Sequence, residues 1–542
     1  MKNYILEIFS DLESKLPYVK AKDVQLNVPK SKEHGDLATN YALVLAKELK
    51  RNPKEIAKEI ISNLEDKKNA LEKIEVAGAG FINFKFKREF IVNLLNEVFQ
   101  KNAEYGKSRK YSGKKAQVEF VSANPTGPLT VGHGRNAVFG DTIANLLSAV
   151  GYSVEREYYF NNAGRQMRVL ADSVRLRYLE LLGEKIDFPE DYYQGEYIID
   201  IARKILEEKG ETLKQTNDLS YFKETAEKLI FEDINKTLNR LGIKFDNYFN
   251  ENSLIETGKC DAVINKFKEL NYCYEKDGAL WLALTKARME QDKVIVKSSG
   301  ELTYRLPDIA YHIEKFKRGY DLMVDVFGSD HMATYPDVLA GLRILGYDTS
   351  KVKVLIHQFV TIFRNGEIVK MSTRRANFIT LDELIDEVGP YVVRYFFLMR
   401  SISSHLNFDL DLAVKQTDEN PVFYLQYAHA RICGILRLAN EEGKHHSTNN
   451  FKLLKENEEI DLIKHINLYP DIIERSAESF DPLILINYLH ELAEYFHKFY
   501  HELRVLGQSE ELTSARLALC RATQIVLQNG LSLLGINAPE RM

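Results

Sequence analysis

A segment rich in proline and glycine constrains the fold of this chain more than any other part of its 542 residues. Just before it, residues 116–121 read AQVEFV, and the alternation of apolar and polar side chains predicts a strand. Pro125, Gly127 and Pro128 exclude regular structure in the segment itself. From about Gly132 onward, apolar residues recur at helical spacing. The order strand, loop, helix predicts an α/β fold in which the loop lies at the carboxyl end of a strand, where free N–H groups of the helix can bind phosphate.

Composition limits the class of protein. Hydrophobic residues make up 45% and charged residues 28% of the chain, which is typical of a globular protein. Because the formal net charge is −5, any nucleic-acid binding must depend on local basic patches. The first residues predict an amphipathic helix rather than a signal peptide, and no apolar run is long enough to cross a membrane. The four cysteines are far apart and predict neither a zinc site nor a disulfide framework, so we expect a chain of the reducing cytoplasm.

Two separated motifs carry a resemblance to a known family. The first is NPTGPLTVGH at residues 124–133, and the second is VKMSTR at residues 369–374. Together they resemble the paired nucleotide-binding motifs of class I aminoacyl-tRNA synthetases, and the longer form ANPTGPLTVGHGR is similar to the arginyl-tRNA synthetases in particular. The resemblance extends from GDLATN near the start of the chain to NAPERM at its end. One position departs from the family, because Thr130 stands where a first histidine is usual; its hydroxyl can donate a hydrogen bond to phosphate but carries no charge.

The chain divides into three predicted domains. Residues 1–106 predict a compact α+β domain, with a helix at residues 34–50 and, at residues 74–86, a strand entered through a glycine turn. By resemblance this domain binds the tRNA elbow. Residues 107–414 alternate strands and helices, which predicts a Rossmann-like catalytic domain with a mostly parallel sheet, split by an insertion at about residues 183–255. From residue 415 to residue 542 the pattern is all-helical and resembles the anticodon-binding domain of the family.

The resemblance implies ATP-dependent attachment of L-arginine to tRNA(Arg) through an arginyl-adenylate, with release of pyrophosphate and AMP. No side-chain nucleophile is needed, because the carboxylate of the amino acid attacks the α-phosphate and catalysis depends on positioning and positive charge. Mg²⁺ is expected with ATP, held mostly by phosphates rather than by protein ligands. By resemblance the catalytic residues are His133, Lys370 and Arg374. The expected ATP-binding residues are Ala123, Asn124, Pro125, Thr126, Gly127, Pro128, Leu129, Thr130, Val131, Gly132 and His133 in the first motif and Lys370, Met371 and Ser372 in the second.

Arginine as a substrate demands acidic partners. Its guanidinium presents five fixed donors, which carboxylates can accept in pairs. By resemblance the residues that bind the amino acid are Glu119, Asn124, Tyr304, Asp308, Asp330 and His331. For Asp308 the alternative is an acid that favours a helix N-terminus, and for Glu119 it is an exposed strand position. Asp330 and His331 could equally bind adenosine, or have no contact with a ligand.

Four residues are predicted to contact tRNA. By resemblance, Phe81 and Asn83 fall where the family contacts a D-loop base, since an aromatic face and an amide suit an unpaired base. The alternative is a core phenylalanine and an asparagine in a turn. Tyr427 and Arg431, in the run YAHAR, are typical of the arginyl enzymes.

Other functions remain open at this point. A non-catalytic tRNA-binding paralogue is the main alternative, and Thr130 is the sequence feature that favours it. A cysteinyl enzyme is disfavoured because the sequence contains no ligand cluster for the metal that such an enzyme normally uses. A P-loop nucleoside triphosphatase is excluded because its phosphate-binding motif is absent. Nothing in the sequence demands a partner chain, so we expect a monomer.

Overall fold

The computed structural model describes residues 1–29, 31–369 and 379–542. Within these ranges no helix combines the length and the apolar character needed to cross a membrane. Residues 370–374 of the second motif, which include the predicted site residues Lys370, Met371, Ser372 and Arg374, lie outside the described residues.

The N-terminal part is a three-stranded antiparallel sheet covered by helices. Its elements are α1 (Lys2–Leu12), β1 (Leu37–Thr39), α2 (Tyr41–Leu49), α3 (Pro53–Asn63), β2 (Leu71–Ala77), β3 (Phe81–Phe86), α4 (Arg88–Asn93) and α5 (Leu95–Lys101). The strand order is β1-β3-β2. Phe9 on α1 is fully buried, and its ring packs edge-on against Phe84 of β3 with 6.4 Å between centroids.

The predicted helix over residues 34–50 is wrong in its first part. The chain there forms β1, in which Leu37 pairs with Phe84, and the helix begins only at Tyr41. Hydrogen bonds to the sheet outweigh the local helical pattern, since the N–H of Asp36 donates to the Phe84 carbonyl at 2.8 Å.

Residues 74–86, predicted as a strand entered through a glycine turn, belong to a hairpin of two strands. Gly78 and Gly80 have φ values of +52° and +137° and reverse the chain between β2 and β3. The predicted turn is present, but the residues before it also form a strand, β2.

The central part contains most of the strands. In chain order its elements are β4 (Lys115–Glu119), α6 (Val131–Ala149), β5 (Ser153–Phe160), α7 (Gly164–Leu181), α8 (Glu196–Lys209), α9 (Ser220–Arg240), β6 (Asn247–Asn250), α10 (Asn252–Glu256), α11 (Lys259–Glu269), β7 (Cys273–Lys276), β8 (Ala279–Leu282), β9 (Lys293–Val296), α12 (Arg305–Lys317), β10 (Leu322–Gly328), α13 (Tyr335–Ile344), β11 (Val352–His357), β12 (Val360–Arg364), β13 (Glu367–Ile368), α14 (Leu381–Val388), α15 (Pro390–Leu398), β14 (Leu406–Asp409) and α16 (Leu410–Ala413).

Five of these strands form one parallel sheet with the order β11-β10-β4-β5-β6. The chain runs outward from β4 through β5 to β6 and then returns to the other side of β4 with β10 and β11. The strand order therefore reverses between β4 and β10, and such a switch point leaves a crevice at the carboxyl ends of the strands. Helix α6 follows β4 and begins at this crevice, as the sequence predicted.

The stretch predicted as an insertion, residues 183–255, is not separate from the sheet. It contains β6, which pairs in parallel with β5 from Asn247 to Asn250. A short strand of four residues carries too little pattern to be recognised in sequence. The small antiparallel sheet β7-β8-β9 comes later and packs with α11, α12 and α13 around a second hydrophobic core.

The C-terminal part is all-helical, as predicted. Its helices are α17 (Pro421–Glu441), α18 (Asn457–Ile466), α19 (Tyr469–Ser479), α20 (Leu483–Glu502) and α21 (Glu510–Leu533).

A buried arginine connects the helical part to the central part. The Arg394 guanidinium on α15 donates to the carbonyls of Leu534 and Leu241, each at 2.8 Å, and to the Asp141 carboxylate on α6 at 2.7 Å. The Arg394 side chain is 1% exposed. One cation thus fixes the end of α21, the end of α9 and the helix that borders the crevice.

Candidate active site

The backbone between β4 and α6 is held in an unusual conformation. Val121 and Ser122 have φ values of +64° and +45°, a region that a β-branched residue rarely adopts. Asn136 on α6 stabilises this turn, because its Oδ1 accepts the Val121 N–H at 2.6 Å and its Nδ2 donates to the Val326 carbonyl of β10 at 2.8 Å. Strain of this kind is characteristic of functional sites.

The predicted ATP-binding residues of the first motif lie in this loop and in the first turn of α6. Tyrosine hydroxyls hold the loop, since Tyr158 donates to the Ala123 carbonyl at 2.8 Å and Tyr197 to the Thr126 carbonyl at 2.7 Å. A Cβ added to Gly132 would meet only the Thr130 hydroxyl, at 3.7 Å. The protein therefore leaves open space above Gly132, where a ligand can approach the backbone.

Thr130 and His133 form a capping box at the start of α6. The Thr130 hydroxyl accepts the His133 N–H at 3.4 Å, and His133 Nδ1 accepts the Thr130 N–H at 3.2 Å. This second bond places the ring proton of neutral His133 on Nε2, which is left as a donor. Burial, aided by nearby His357, lowers the pKa of His133 to about 4, so the ring is neutral near pH 7.

The first motif also contacts the residues that follow the second motif. Thr130 and Thr380 form an antiparallel bridge, and the N–H of Leu381 donates to the Leu129 carbonyl at 2.8 Å. A Cβ on Gly134 would lie 2.5 Å from a Leu381 methyl group, so a side chain here would require Leu381 to shift. The first motif is therefore joined to the segment at Thr380 and Leu381, which is remote from it in sequence.

A row of acids crosses the sheet beside the crevice. Asp325 on β10, Glu119 on β4 and Glu157 on β5 are neighbours in register, and they are at most 3% exposed. Side chains from α12 and its end neutralise them. Lys315 bonds to both Glu119 and Asp325, while Arg318 bonds to Glu157 at 2.7 Å.

Asp308, in the first turn of α12, lies near this row of acids and lines a small cavity. The cavity is also lined by His312, Phe327, His331 and Thr334. Burial raises the pKa of Asp308 to about 7, with His312 opposing the shift and the carboxylates of Glu251 and Glu119 adding to it. No hydrogen-bond donor contacts the Asp308 carboxylate among the residues that the structure describes. A cationic ligand would supply the missing partner.

Glu251 is a site residue that the sequence analysis missed. Its carboxylate accepts the Tyr159 hydroxyl at 2.7 Å and the Asn161 amide at 2.6 Å, and burial raises its pKa. Glu251 lies close enough to Asp308 to affect its titration. Its sequence neighbours are polar residues that mark it as part of a surface loop, so no sequence signal distinguished it.

The other predicted arginine-binding residues lie in three different places. Asn124 is held by the Asn161 N–H at 3.0 Å and by Gln166 at 2.9 Å. Tyr304 precedes α12 and is 78% exposed, so the structure does not bring its ring into the cluster. Asp330 and His331 lie just beyond the end of β10, where the His331 ring stacks on Phe327 at 4.8 Å.

A second buried arginine, Arg135, ends the longer form of the first motif, and the sequence analysis assigned it no role. Arg135 is fully buried on α6 and donates to the carbonyls of Gln358 at 2.8 Å and Ser401 at 2.9 Å. Burial lowers its pKa to about 10, and its Nε has no partner among the described residues. Arg135 therefore attaches the chain that follows β11 to the first motif.

The predicted tRNA contacts lie in two separate places. On β3, Phe81 is 42% exposed, whereas Asn83 on the same face is 4% exposed and its Nδ2 lacks a partner among the described residues. On α17, Tyr427 and Arg431 line a cleft of about 510 Å³, with the Arg431 guanidinium over the Tyr500 ring at 4.7 Å. The other residues that line this cleft are Asp418, Tyr424, His497 and His501.

The parallel sheet with its switch point, the capped helix start and the paired motifs define a class I aminoacyl-tRNA synthetase. Three family models match the chain: the arginyl tRNA synthetase N terminal domain at residues 2–86, the catalytic domain of tRNA synthetases class I (R) at residues 94–392, and the DALR anticodon binding domain at residues 425–542. The chain belongs to the arginyl-tRNA synthetase family.

Relatives along the whole chain agree with this membership. The chain is 52% identical over 520 residues to the arginine–tRNA ligase of Desulfotalea psychrophila, covering 95% of this chain and 94% of the relative. It is 50% identical over 551 residues to the arginine–tRNA ligase of Chlorobaculum tepidum, covering 100% of both. It shares the fold of the Thermus thermophilus arginyl-tRNA synthetase, with 22% identity, a TM-score of 0.78 and full coverage of both chains.

The enzyme is therefore an arginine–tRNA ligase, which aminoacylates tRNA(Arg) with arginine and uses ATP. These findings give no support to the non-catalytic paralogue. Among the described residues, no group of three or more histidine, cysteine, aspartate or glutamate side chains could hold a metal ion.

Proposed function

We propose that arginine lies between the start of α12 and the start of α6. The Asp308 and Glu251 carboxylates accept its guanidinium, and Glu119 accepts its α-ammonium. This proposal rests on the Asp308 carboxylate, which is desolvated beside other acids and contacts no donor among the described residues. A guanidinium supplies both the charge and the paired donors that this carboxylate requires.

The two ends of arginine are assigned from their distance to the chemistry. The α-ammonium is attached next to the attacking carboxylate, so it must lie near the nucleotide. Glu119 ends the strand that leads into the nucleotide loop, whereas Asp308 lies on α12. Asn124, Tyr304, Asp330 and His331 complete the proposed site at its rim.

In the first step, an arginine carboxylate oxygen forms a bond to the α-phosphorus of ATP as the bond to pyrophosphate breaks. The free N–H groups at the start of α6 and His133 Nε2–H stabilise the charge that develops on the phosphate. Because His133 is neutral, it contributes a hydrogen bond rather than a full charge. From the sequence, Lys370 and Arg374 supply the positive charge, and Met371 and Ser372 accompany them. Mg²⁺ enters with ATP as part of that substrate.

In the second step, a hydroxyl of the terminal ribose of tRNA attacks the arginyl carbonyl and AMP leaves. We assign tRNA contacts to residues 1–106 and 415–542, on either side of the catalytic unit at residues 107–414. Phe81 offers an exposed ring, and the buried Nδ2 of Asn83 beside it has no partner among the described residues, which suits one unpaired base. Tyr427 and Arg431 present stacked aromatic and cationic surfaces in the helical domain.

The enzyme acts as a monomer in the cytoplasm, where charged tRNA is consumed in protein synthesis. All the proposed substrate-binding residues are supplied by this one chain. Light scattering of the purified protein tests the oligomeric state, and a dimer would contradict it. Cell fractionation tests the location.

The charging of a mixed tRNA pool tests the substrate assignment. Each of the twenty labelled amino acids is supplied in turn with ATP and Mg²⁺. We expect incorporation of arginine alone. Incorporation of another amino acid would contradict the proposed pocket, and a requirement for Glu251 and Asp308 is tested by replacing each with its amide.

A further inference from the structure

The row of acids described above is unusual for the middle of a sheet. Three carboxylates, those of Asp325, Glu119 and Glu157, lie side by side on adjacent strands with almost no exposure. Neighbouring like charges in a low-dielectric interior repel one another, so each needs a cation close by. Helix α12 supplies these cations along one face.

Lys315 is the central cation of this face. It is fully buried, and its Nζ lies 2.5 Å from Glu119 Oε2 and 2.6 Å from Asp325 Oδ1. The ammonium also lies over the Tyr311 ring at 4.3 Å. Lys317, two residues further on, is 62% exposed and, within the described part of the chain, pairs only with Glu314. The two lysines are indistinguishable by type, but only Lys315 touches a residue of the proposed arginine site.

Lys315 helps to fix the orientation of the Glu119 carboxylate. Glu119 Oε1 accepts the Ser122 hydroxyl at 3.1 Å while Oε2 accepts Lys315, so the carboxylate is fixed from both sides. A carboxylate has about four acceptor positions, and two remain for a ligand. The Lys315 charge also offsets Asp325, whose other oxygen bonds to His312 Nε2 at 2.9 Å. The uncompensated negative charge is thereby confined to the Asp308 and Glu251 end of the cluster.

We propose that Lys315 is a positioning residue for substrate arginine: it orients the Glu119 carboxylate toward the α-ammonium without touching the substrate itself. The inference rests on the proposed arginine site. It predicts that loss of Lys315 weakens binding of the α-ammonium more than binding of the guanidinium.

The test compares two ligands in the tRNA-charging assay. Arginine is measured by its KM, and 5-guanidinopentanoate, which lacks the α-amino group, is measured as a competitive inhibitor. The variants are Lys315→Met, Lys315→Arg and the charge-matched double variant Lys315→Met with Asp325→Asn. Lys317→Met is the control on the same helix, and thermal unfolding checks the fold of each protein.

We expect the double variant to raise the arginine KM by about thirtyfold, as for a lost hydrogen bond to a charged group. The inhibition constant of 5-guanidinopentanoate and the KM for ATP should change by less than about threefold on the same reasoning. Lys315→Arg should restore part of the arginine KM, and Lys317→Met should leave both constants unchanged.

Two outcomes would overturn the inference. A folded double variant with the wild-type arginine KM would show that Lys315 serves stability alone. Equal losses for both ligands would show that it has no selective effect on the α-ammonium. If Lys315→Met does not fold, the double variant still decides the question. An unchanged arginine KM in the Asp308→Asn variant would instead overturn the proposed arginine site, and this inference with it.

Discussion

Thr130 and Thr380 lie opposite each other in an antiparallel bridge, and each caps a helix with its own hydroxyl. Thr130 starts the helix of the first motif, and Thr380 starts the helix that follows the second. The usual family histidine at the first of these positions is replaced here by a residue that is well suited to an N-cap. The position therefore has a structural use that does not depend on charge.

Replacing Thr130 with alanine should remove the hydroxyl that accepts the His133 N–H, while the Thr130 backbone N–H that bonds to the His133 ring remains. We expect a loss of about 1 kcal/mol in the free energy of unfolding. The kcat should fall by about tenfold, because the first turn of α6, which positions His133, loses its cap. Denaturation and steady-state charging measure the two effects. Ser509→Ala, which removes an equivalent cap from α21, should cost similar stability and leave kcat unchanged. Equal activity of the two variants would contradict the role of Thr130.

Replacing Asp308 with asparagine should raise the KM for arginine by about a hundredfold or more, since it removes one partner of a buried charge pair. The KM for ATP and the fold should be preserved. Asp261→Asn is the matched control, because Asp261 is likewise an acid in the first turn of its helix, α11. An arginine KM that stays at the wild-type value would remove Asp308 from the site.

Arginine binding should depend on pH through Asp308. Burial raises the pKa of this carboxyl to about 7 in the free enzyme, and a bound cation favours the ionised form. Binding then releases a proton, so the Kd should increase by about tenfold for each pH unit below 7 and level off above it. Titration calorimetry at several pH values measures this slope. Asp308→Asn should abolish it, and a slope that persists in the variant would assign the proton to another group.

Replacing Tyr427 with alanine should weaken the binding of tRNA without affecting the binding of arginine or ATP. Loss of one stacking surface should raise the KM for tRNA by about tenfold. The KM values for arginine and ATP should not move. Tyr274→Ala, at a similarly exposed tyrosine on β7, should change none of the three. If the two variants behave alike, the cleft on α17 does not contact tRNA.

Much of the fold could be predicted from local pattern. The strand predicted at residues 153–160 matches β5, and the predicted loop and helix start of the first motif lie within two residues of the observed ones. These segments carry a strong period over many residues. The edge strand β1 could not be predicted in this way, because three residues in a helical context become a strand only through pairing with β3.

The site was less accessible to sequence reasoning than the fold. Glu119 and Lys315 are separated by 196 positions, and nothing in the run EKFK indicates that its first lysine is buried. Glu251 likewise owes its place to contacts with Tyr159 and Asn161 on a different segment. The motifs located the nucleotide loop, but partners brought together by the parallel sheet could be identified only from the folded chain.

The contacts of the Arg394 guanidinium limit where the chain can be divided into separate domains. Its acceptors are supplied by the end of the last helix, by the end of α9 and by the helix of the first motif, so the helical domain is not a detachable module. A chain that stopped short of Leu534 would keep the buried cation and lose one of its acceptors. Chimaeras that exchange anticodon-binding domains between relatives should therefore place their junction so that this carbonyl and this arginine come from compatible parents.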